Sequence, residues 1–308
     1  MDQILVFERG YLFLLSPMCS VERGYPFLPE DIWYVILRKL PFSMSKNFIF
    51  ISKFLSKLFY KTVTSIEKTY IKNLKFSNEI KKYTNLTKLD LYNNEKITDD
   101  VICKLINITK INLSSNSIIT DDGISKLTKI THINLCRNTK ITDDCLIKLT
   151  SIKNINLSKN KNVTNNCLRL LTNIVHINLS MNFKITDYGI KNLTNLKTLV
   201  FSGSNITDNS FTNLTNLTSV RIGRNNITND GLRKLIPYNN LTSLSLDHNN
   251  ISNYGIKDFY SLTKLDVKTN SNIDYDGIKN LTNLTELGKN RLISNKSIKN
   301  LKLLTNIY

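Results

Sequence analysis

The sequence predicts an α/β solenoid of short stacked repeats, and three observations carry that reading. An apolar position recurs every 22 residues, at Leu86, Ile108, Ile130, Ile152, Ile174 and Leu196. It continues at Leu217, Leu241, Leu262 and Leu284 with spacings of 21, 24, 21 and 22, giving ten repeats. Periodicity also changes within each repeat: Leu89 and Leu91 stand two apart, as on one face of a strand, whereas Ile102 and Leu105 stand three apart, as on a helix. Finally, each repeat reads L-x-x-L-x-L-x-x-N and then I-T-D-x-G-I-x-x-L. Such a strand, turn and short helix cannot bury its apolar face alone, and stacking ten of them makes a continuous core.

The elements follow in order. The Asn that ends each strand (Asn94, Asn116, Asn138, Asn160, Asn182, Asn225, Asn249, Asn270) is placed to bond backbone groups that the turn leaves open, and neighbouring Asn can form a ladder. Among the first nine repeats only the sixth departs, with Ser204. The long spacing falls at extra residues around Pro237 and Tyr238. The tenth repeat has lost two residues and carries Lys289 in place of a strand Leu; Leu304 and Ile307 then begin another strand pattern, and a frayed C-terminal end is expected. Upstream, Ile71, Leu74 and Phe76 fit the strand spacing of a truncated capping repeat, and 43–60 suits a buried helix. Before that, Pro29, Glu30 and Asp31 mark a helix start, Ile32, Ile36 and Leu40 form an apolar stripe widened by Val35 and Leu37, and Pro41 stops the helix. The layout is therefore an unassigned extension (1–27), a helical region (28–60), a linker with the capping repeat (61–83) and the repeats (84–308).

Composition narrows the function. The chain has 42 Lys and Arg against 24 Asp and Glu, a formal charge of +18. Asn (42), Ile (37) and Lys (33) fill 112 of 308 positions, and all three have AT-rich codons, so the charge partly reflects genome composition. No apolar run is long enough to span a membrane. The first residues lack a basic segment and interrupt their apolar stretch with Glu8 and Arg9, unlike a secretory leader. Five cysteines argue against a disulfide framework, and a reduced intracellular setting is expected. Twice, at Glu8–Tyr11 and Glu22–Tyr25, the sequence reads ERGY, with no evident reason.

The repeats resemble the leucine-rich-repeat family, in its ITDxGL variety, over residues 84–301. That resemblance implies a curved solenoid with a parallel sheet on the concave face and short helices on the convex face. Ten strands about 4.8 Å apart would make a sheet on the order of 45–50 Å long. The preceding helical region resembles the F-box: Leu28, Pro29, Glu30 and Ile32 match its opening, Ile36 and Leu40 its middle, and Ile51, Ser52 and Lys53 its end. Leu55 stands where Trp is usual and Ser52 where Cys is usual. An F-box followed by leucine-rich repeats implies a substrate receptor of an SCF-type ubiquitin ligase. By that resemblance Leu28, Pro29, Ile32, Ile36, Leu37 and Leu40 dock on the Skp adaptor, which links to the cullin ligase, and the repeats hold a target protein. The receptor performs no chemistry itself and works by proximity. Two alternatives remain: a repeat module whose helices only cap the solenoid, and nucleic-acid binding. A cytoplasmic location is expected, that of the host if the AT-rich bias reflects a large DNA virus, with the nucleus open.

For the target surface, the concave middle positions of repeats one to five are a polar ladder, Asp90, Asn112, Asn134, Asn156 and Asn178. Later repeats break it, and Val200, Arg221, Arg224, Asp247, His248, Asp266 and Lys268 form the more varied patch expected to hold the target. His132 and His176 share a column two repeats apart, roughly 10 Å, too far to share a zinc ion. Cys145 and Cys167 replace the consensus Gly and are expected to pack as small apolar groups. No phosphate-binding Gly loop or nucleophile–base spacing is present, which points away from an enzyme and from a cofactor or metal. No aromatic residues interleave the basic ones as in a strand-tracking nucleic-acid groove.

Overall fold

Short runs with apolar residues two apart need neighbours on both sides, and the stacking supplies them. The computed structural model describes residues 4–8, 11–15, 30–46, 53–66 and 77–308, the first two segments by their backbone. Eleven strands form one parallel sheet in chain order: β3 (Lys88–Asp90), β4 (Lys110–Asn112), β5 (His132–Asn134), β6 (Asn154–Asn156), β7 (His176–Asn178), β8 (Thr198–Ser202), β9 (Ser219–Gly223), β10 (Ser243–Asp247), β11 (Lys264–Asp266), β12 (Glu286–Gly288) and β13 (Asn306–Ile307). The register aligns Leu89 with Ile111, Ile133, Ile155 and Ile177 in one buried column. One-turn helices such as Asp121–Ile124 and Asp143–Leu146 lie opposite the sheet. This is a leucine-rich-repeat solenoid, as the periodicity predicts.

Three hydrogen-bonded ladders run along it, and they explain most of the repeated polar residues. In the first, Asn116 Nδ2 donates to the carbonyls of Leu91 and Asn94 (3.1 and 2.9 Å), and its Oδ1 accepts from the backbone N–H of Ile118 and Ile119. Asn138 and Asn160 repeat the arrangement, all three being almost fully buried. In the second, Asp99 grips the next repeat's Thr120 by its N–H (2.9 Å) and its hydroxyl (2.6 Å), and the Thr120 hydroxyl accepts from Asp122 N as the helix cap. Asp121 holds Thr142 and Asp143 holds Thr164 in the same way. The T-D pair is thus a clamp between repeats. The third uses the Asn that precedes the opening residue in most repeats: Asn107, Asn195, Asn216 and Asn283 donate to the carbonyls of Thr84, Thr172, Thr194 and Tyr260.

The first ladder breaks where the sequence departs. Ser204 is too short to span the gap, and its Oγ and the Nδ2 of Asn225 are buried without partners. Asn225 instead accepts the Ser204 N–H through Oδ1 at 3.0 Å. Replacing Ser204 by Asn is expected to rebuild the rung and raise stability by about 1 kcal/mol, or a thermal midpoint by about 2 °C. An unchanged midpoint in differential scanning calorimetry would count against a missing rung at this site.

At the N-terminal end, α1 (Glu30–Lys39), α2 (Phe42–Ser45) and α3 (Lys53–Thr62) precede the sheet. Trp33 and Leu37 of α1 are buried, as are Leu58 and Phe59 of α3. Tyr83 stacks edge-on against Phe59 and Tyr60 (ring centroids 5.9 and 4.9 Å), tying α3 to the first repeat. The segment lying against β3 is 63–66: the Thr64 carbonyl accepts from Thr87 and Lys88, and Val63 and Ile66 are buried. Ile71, Leu74 and Phe76 lie outside the described residues. At the opposite end the expected fraying is replaced by pairing, because Asn306 and Ile307 extend the sheet and Tyr308 N bonds the Leu287 carbonyl. Leu303 and Ile307 nevertheless remain exposed there. The strands β1 (Ile4–Glu8) and β2 (Tyr11–Leu15) form a separate antiparallel pair in which Glu8 lies opposite Tyr11, the first and last residues of the first ERGY.

Candidate functional site

Two surfaces stand out. The first is the sheet face over β3–β8, a shallow groove of about 470 Å³. Strand alternation puts the aliphatic centre of each strand into the core and leaves two polar rows outside. The first row is Lys88, Lys110, His132, Asn154, His176 and Thr198; the second is Asp90, Asn112, Asn134, Asn156, Asn178 and Val200. In the second row each carboxamide oxygen closes a local turn: Asn134, Asn156 and Asn178 accept the N–H of Cys136, Ser158 and Ser180 at 3.0 Å. His132 Nδ1 lies 2.8 Å from Thr131 Oγ1, and His176 Nδ1 lies 2.9 Å from Thr198 Oγ1. Partial burial, and then the nearby Lys110, His176 and Lys153, hold the His132 imidazole below its usual pKa.

The residues expected to hold a target are placed differently from one another. Val200, Arg221 and Asp266 share a row in register on β8, β9 and β11. Arg224 and His248 sit in the following turns with positive φ, the position that Arg137 and Lys159 hold earlier. Asp247 accepts the Thr269 hydroxyl at 2.8 Å, and Lys268 lies over the Tyr308 ring at 4.0 Å. Of the seven, only Val200 lines the groove. What sequence reasoning missed is the N-terminal half of this face, whose Asn monotony concealed a uniform orientation of the amides.

The second surface is on α1. Its apolar residues form two overlapping stripes, and the structure turns Trp33 and Leu37 inward. Ile36 and Leu40 are half-buried against the core, while Ile32 and Val35 stay 43% and 48% exposed. Leu28, Pro29, Ile51 and Ser52 lie outside the described residues. The expected stripe is therefore divided between a packed edge and a free one.

Cys145 and Cys167 pack as small buried groups, and burial pushes both thiols up. Among the described residues no cluster of His, Cys, Asp and Glu is arranged to hold a metal ion. No helix there is long and apolar enough to cross a membrane.

Comparison with known proteins agrees with this fold at the level of the repeat. The leucine-rich-repeat family model matches residues 104–127, 213–235 and 239–259. None of the curated proteins matches the chain in sequence. Among solved structures, an internalin (InlF) from Listeria monocytogenes is similar at 24% identity, covering 90% of this chain and 87% of its own, with a TM-score of 0.53. A chain of the yeast Rad7–Elc1 complex is 16% identical, with 90% and 92% covered and a TM-score of 0.57. The structure of the TLR13–ssRNA13 complex matches at 22% identity and a TM-score of 0.52, this chain spanning 37% of that one. At these identities the likeness is one of fold.

Proposed function

We propose that the chain is a substrate receptor of an SCF-type ubiquitin ligase, with α1 docking on the Skp adaptor and the solenoid holding a target protein. The observation that carries this reading is the division of labour on α1. Trp33 and Leu37 are buried in the core and α1 packs on α3, while Ile32 and Val35 remain exposed. A helix-in-groove contact uses spaced apolar anchors of this kind. The Rad7–Elc1 complex, similar over nearly the whole chain, is a precedent for such a solenoid in a complex with a second protein.

The test is binding of the full chain to purified Skp adaptor. Covering the exposed parts of Ile32 and Val35 is worth about 1.5 kcal/mol each. Ile32→Asp with Val35→Asp is therefore expected to weaken binding roughly a hundredfold. Both side chains are exposed, so the circular dichroism of the variant should match the parent. Failure of the parent to bind, or survival of binding in the variant, removes the ligase role. The second reading, an interaction module whose helices cap the repeats, rests on the buried Trp33 and Leu37 and predicts no adaptor binding at all.

A further inference from the structure

We propose that the groove over β3–β8 binds an acidic peptide segment in extended conformation, laid across the strands. The proposal rests on the reading that the repeats hold a target protein, and it names the chemistry of that target.

The row of Asn along the groove presents hydrogen-bond donors. An Asn side chain normally presents one acceptor and one donor group. Here the oxygens of Asn134, Asn156 and Asn178 are taken by the N–H groups of Cys136, Ser158 and Ser180. Those bonds fix the flip of each amide, so three NH2 groups face the open groove in a row. Ammonium groups add to them: Lys88 and Lys110 line the groove beside the amides.

Charge is segregated along the concave face. The strand and turn segments 109–115, 131–137, 153–159, 175–181 and 197–203 contain Lys110, Arg137, Lys153, Lys159 and Lys197 and no Asp or Glu. Asp90, at the first rung, is the acid of this half, and its Oδ1 is occupied by Tyr92 N and Asn112 Nδ2. Asp247, Asp266 and Glu286 all stand in the later repeats, where Glu286 pairs with Lys264 at 2.7 Å. A row of amide NH2 groups flanked by lysines complements carboxylates.

Geometry sets the length. Six strands about 4.8 Å apart span about 24 Å, which an extended chain covers in about eight residues. Among the described residues no Phe, Tyr or Trp lines the groove, so these supply none of the stacking platforms that single-stranded nucleic acid uses.

The histidines add a readout. Thr131 Oγ1 donates to the Thr109 carbonyl, so it accepts from His132 Nδ1–H and leaves Nε2 of the neutral ring as an acceptor. The charged or titratable groups facing His132 are Lys110, Lys153 and His176, with no carboxylate among them. A bound acidic peptide supplies that carboxylate and favours the protonated ring. Binding therefore takes up protons, and affinity rises as pH falls from 8 to 6.

The experiment measures fluorescence anisotropy of labelled peptides with the full chain. An alternating Glu-Ser peptide of about eight residues is compared with its Gln-Ser counterpart and with a thymidine oligonucleotide of equal length. The acidic peptide is expected to bind at least about tenfold more tightly than the neutral one at low salt, and more tightly at pH 6 than at pH 8. The double variant Asn134→Asp with Asn156→Asp keeps the turns, because Asp90 and Asp266 close the same turn in other repeats. It should lower affinity for the acidic peptide about tenfold or more. Equal binding of the two peptides, or full affinity in the double variant, overturns the proposal. If Arg221→Glu removes binding and the double variant does not, the target site lies in the later repeats and the receptor reading stands. Tighter binding of the oligonucleotide with a steep salt dependence overturns both.

Discussion

Asn160→Ala is expected to destabilise the protein by roughly 4 kcal/mol. The side chain is 1% exposed and makes four hydrogen bonds to backbone groups. Its Nδ2 reaches back to the carbonyls of Leu135 and Asn138, and its Oδ1 holds the N–H groups of Asn162 and Val163. Alanine removes all four partners at once and leaves buried backbone groups without them, so each loss counts for about 1 kcal/mol. The neighbouring Asn162 is the control. It makes one exposed bond, to the Thr139 carbonyl, and Asn162→Ala should cost about 0.5–1 kcal/mol. Because each repeat touches only its neighbours, the damage is confined to the interfaces around the fourth repeat. Urea unfolding of the variant should therefore broaden or separate into two steps as the flanking repeats uncouple. Similar losses for the two substitutions would show that the ladder is not what holds this turn.

The columns were legible because burial repeats with the same period as the sequence. Leu86, Leu89 and Leu91 and their apolar counterparts are in the core, and the strand-ending Asn bonds the turn as its chemistry suggests. The Asp of the clamp was not legible in that way. A repeated residue reveals constancy but not its partner, and Asp99 acts on Thr120, 21 positions away in the next repeat. The helix α1 shows a different limit. Ile32 with Ile36 and Trp33 with Leu37 are both four apart, and only packing against α3 decides which pair turns inward. On the concave face, the varied side chains of the later repeats attract attention in a sequence, whereas the row of Asn in the earlier ones reads as filler. Its donor character depends on which amide atom the turn captures, and that is a property of the folded backbone.

Gly231→Ala tests whether the clamp tolerates crowding, and here it should not. A Cβ at this position would lie 1.9 Å from Asp208 Oδ1 and 2.6 Å from Asp208 Cβ. That carboxylate holds Thr228 by its N–H (2.9 Å) and hydroxyl (2.6 Å), and the hydroxyl in turn accepts the Gly231 N–H. Ala gains about 1 kcal/mol of helix propensity, which offsets only part of the clamp and crowding losses. A net loss of about 2–3 kcal/mol is expected. Other repeats place Cys145 and Cys167 at the equivalent position with their clamps intact, so a side chain is not excluded in principle. The difference lies in the element that carries the acid: Asp208 opens a 3-10 turn, whereas Asp121 and Asp143 open α-helical turns. A double-mutant cycle isolates the contact: with Asp208→Ala already present, Gly231→Ala should cost about 1 kcal/mol or less, because the atom it displaces is gone. If the two losses simply add, the crowding lies elsewhere, and Asp208 is not the neighbour that requires glycine.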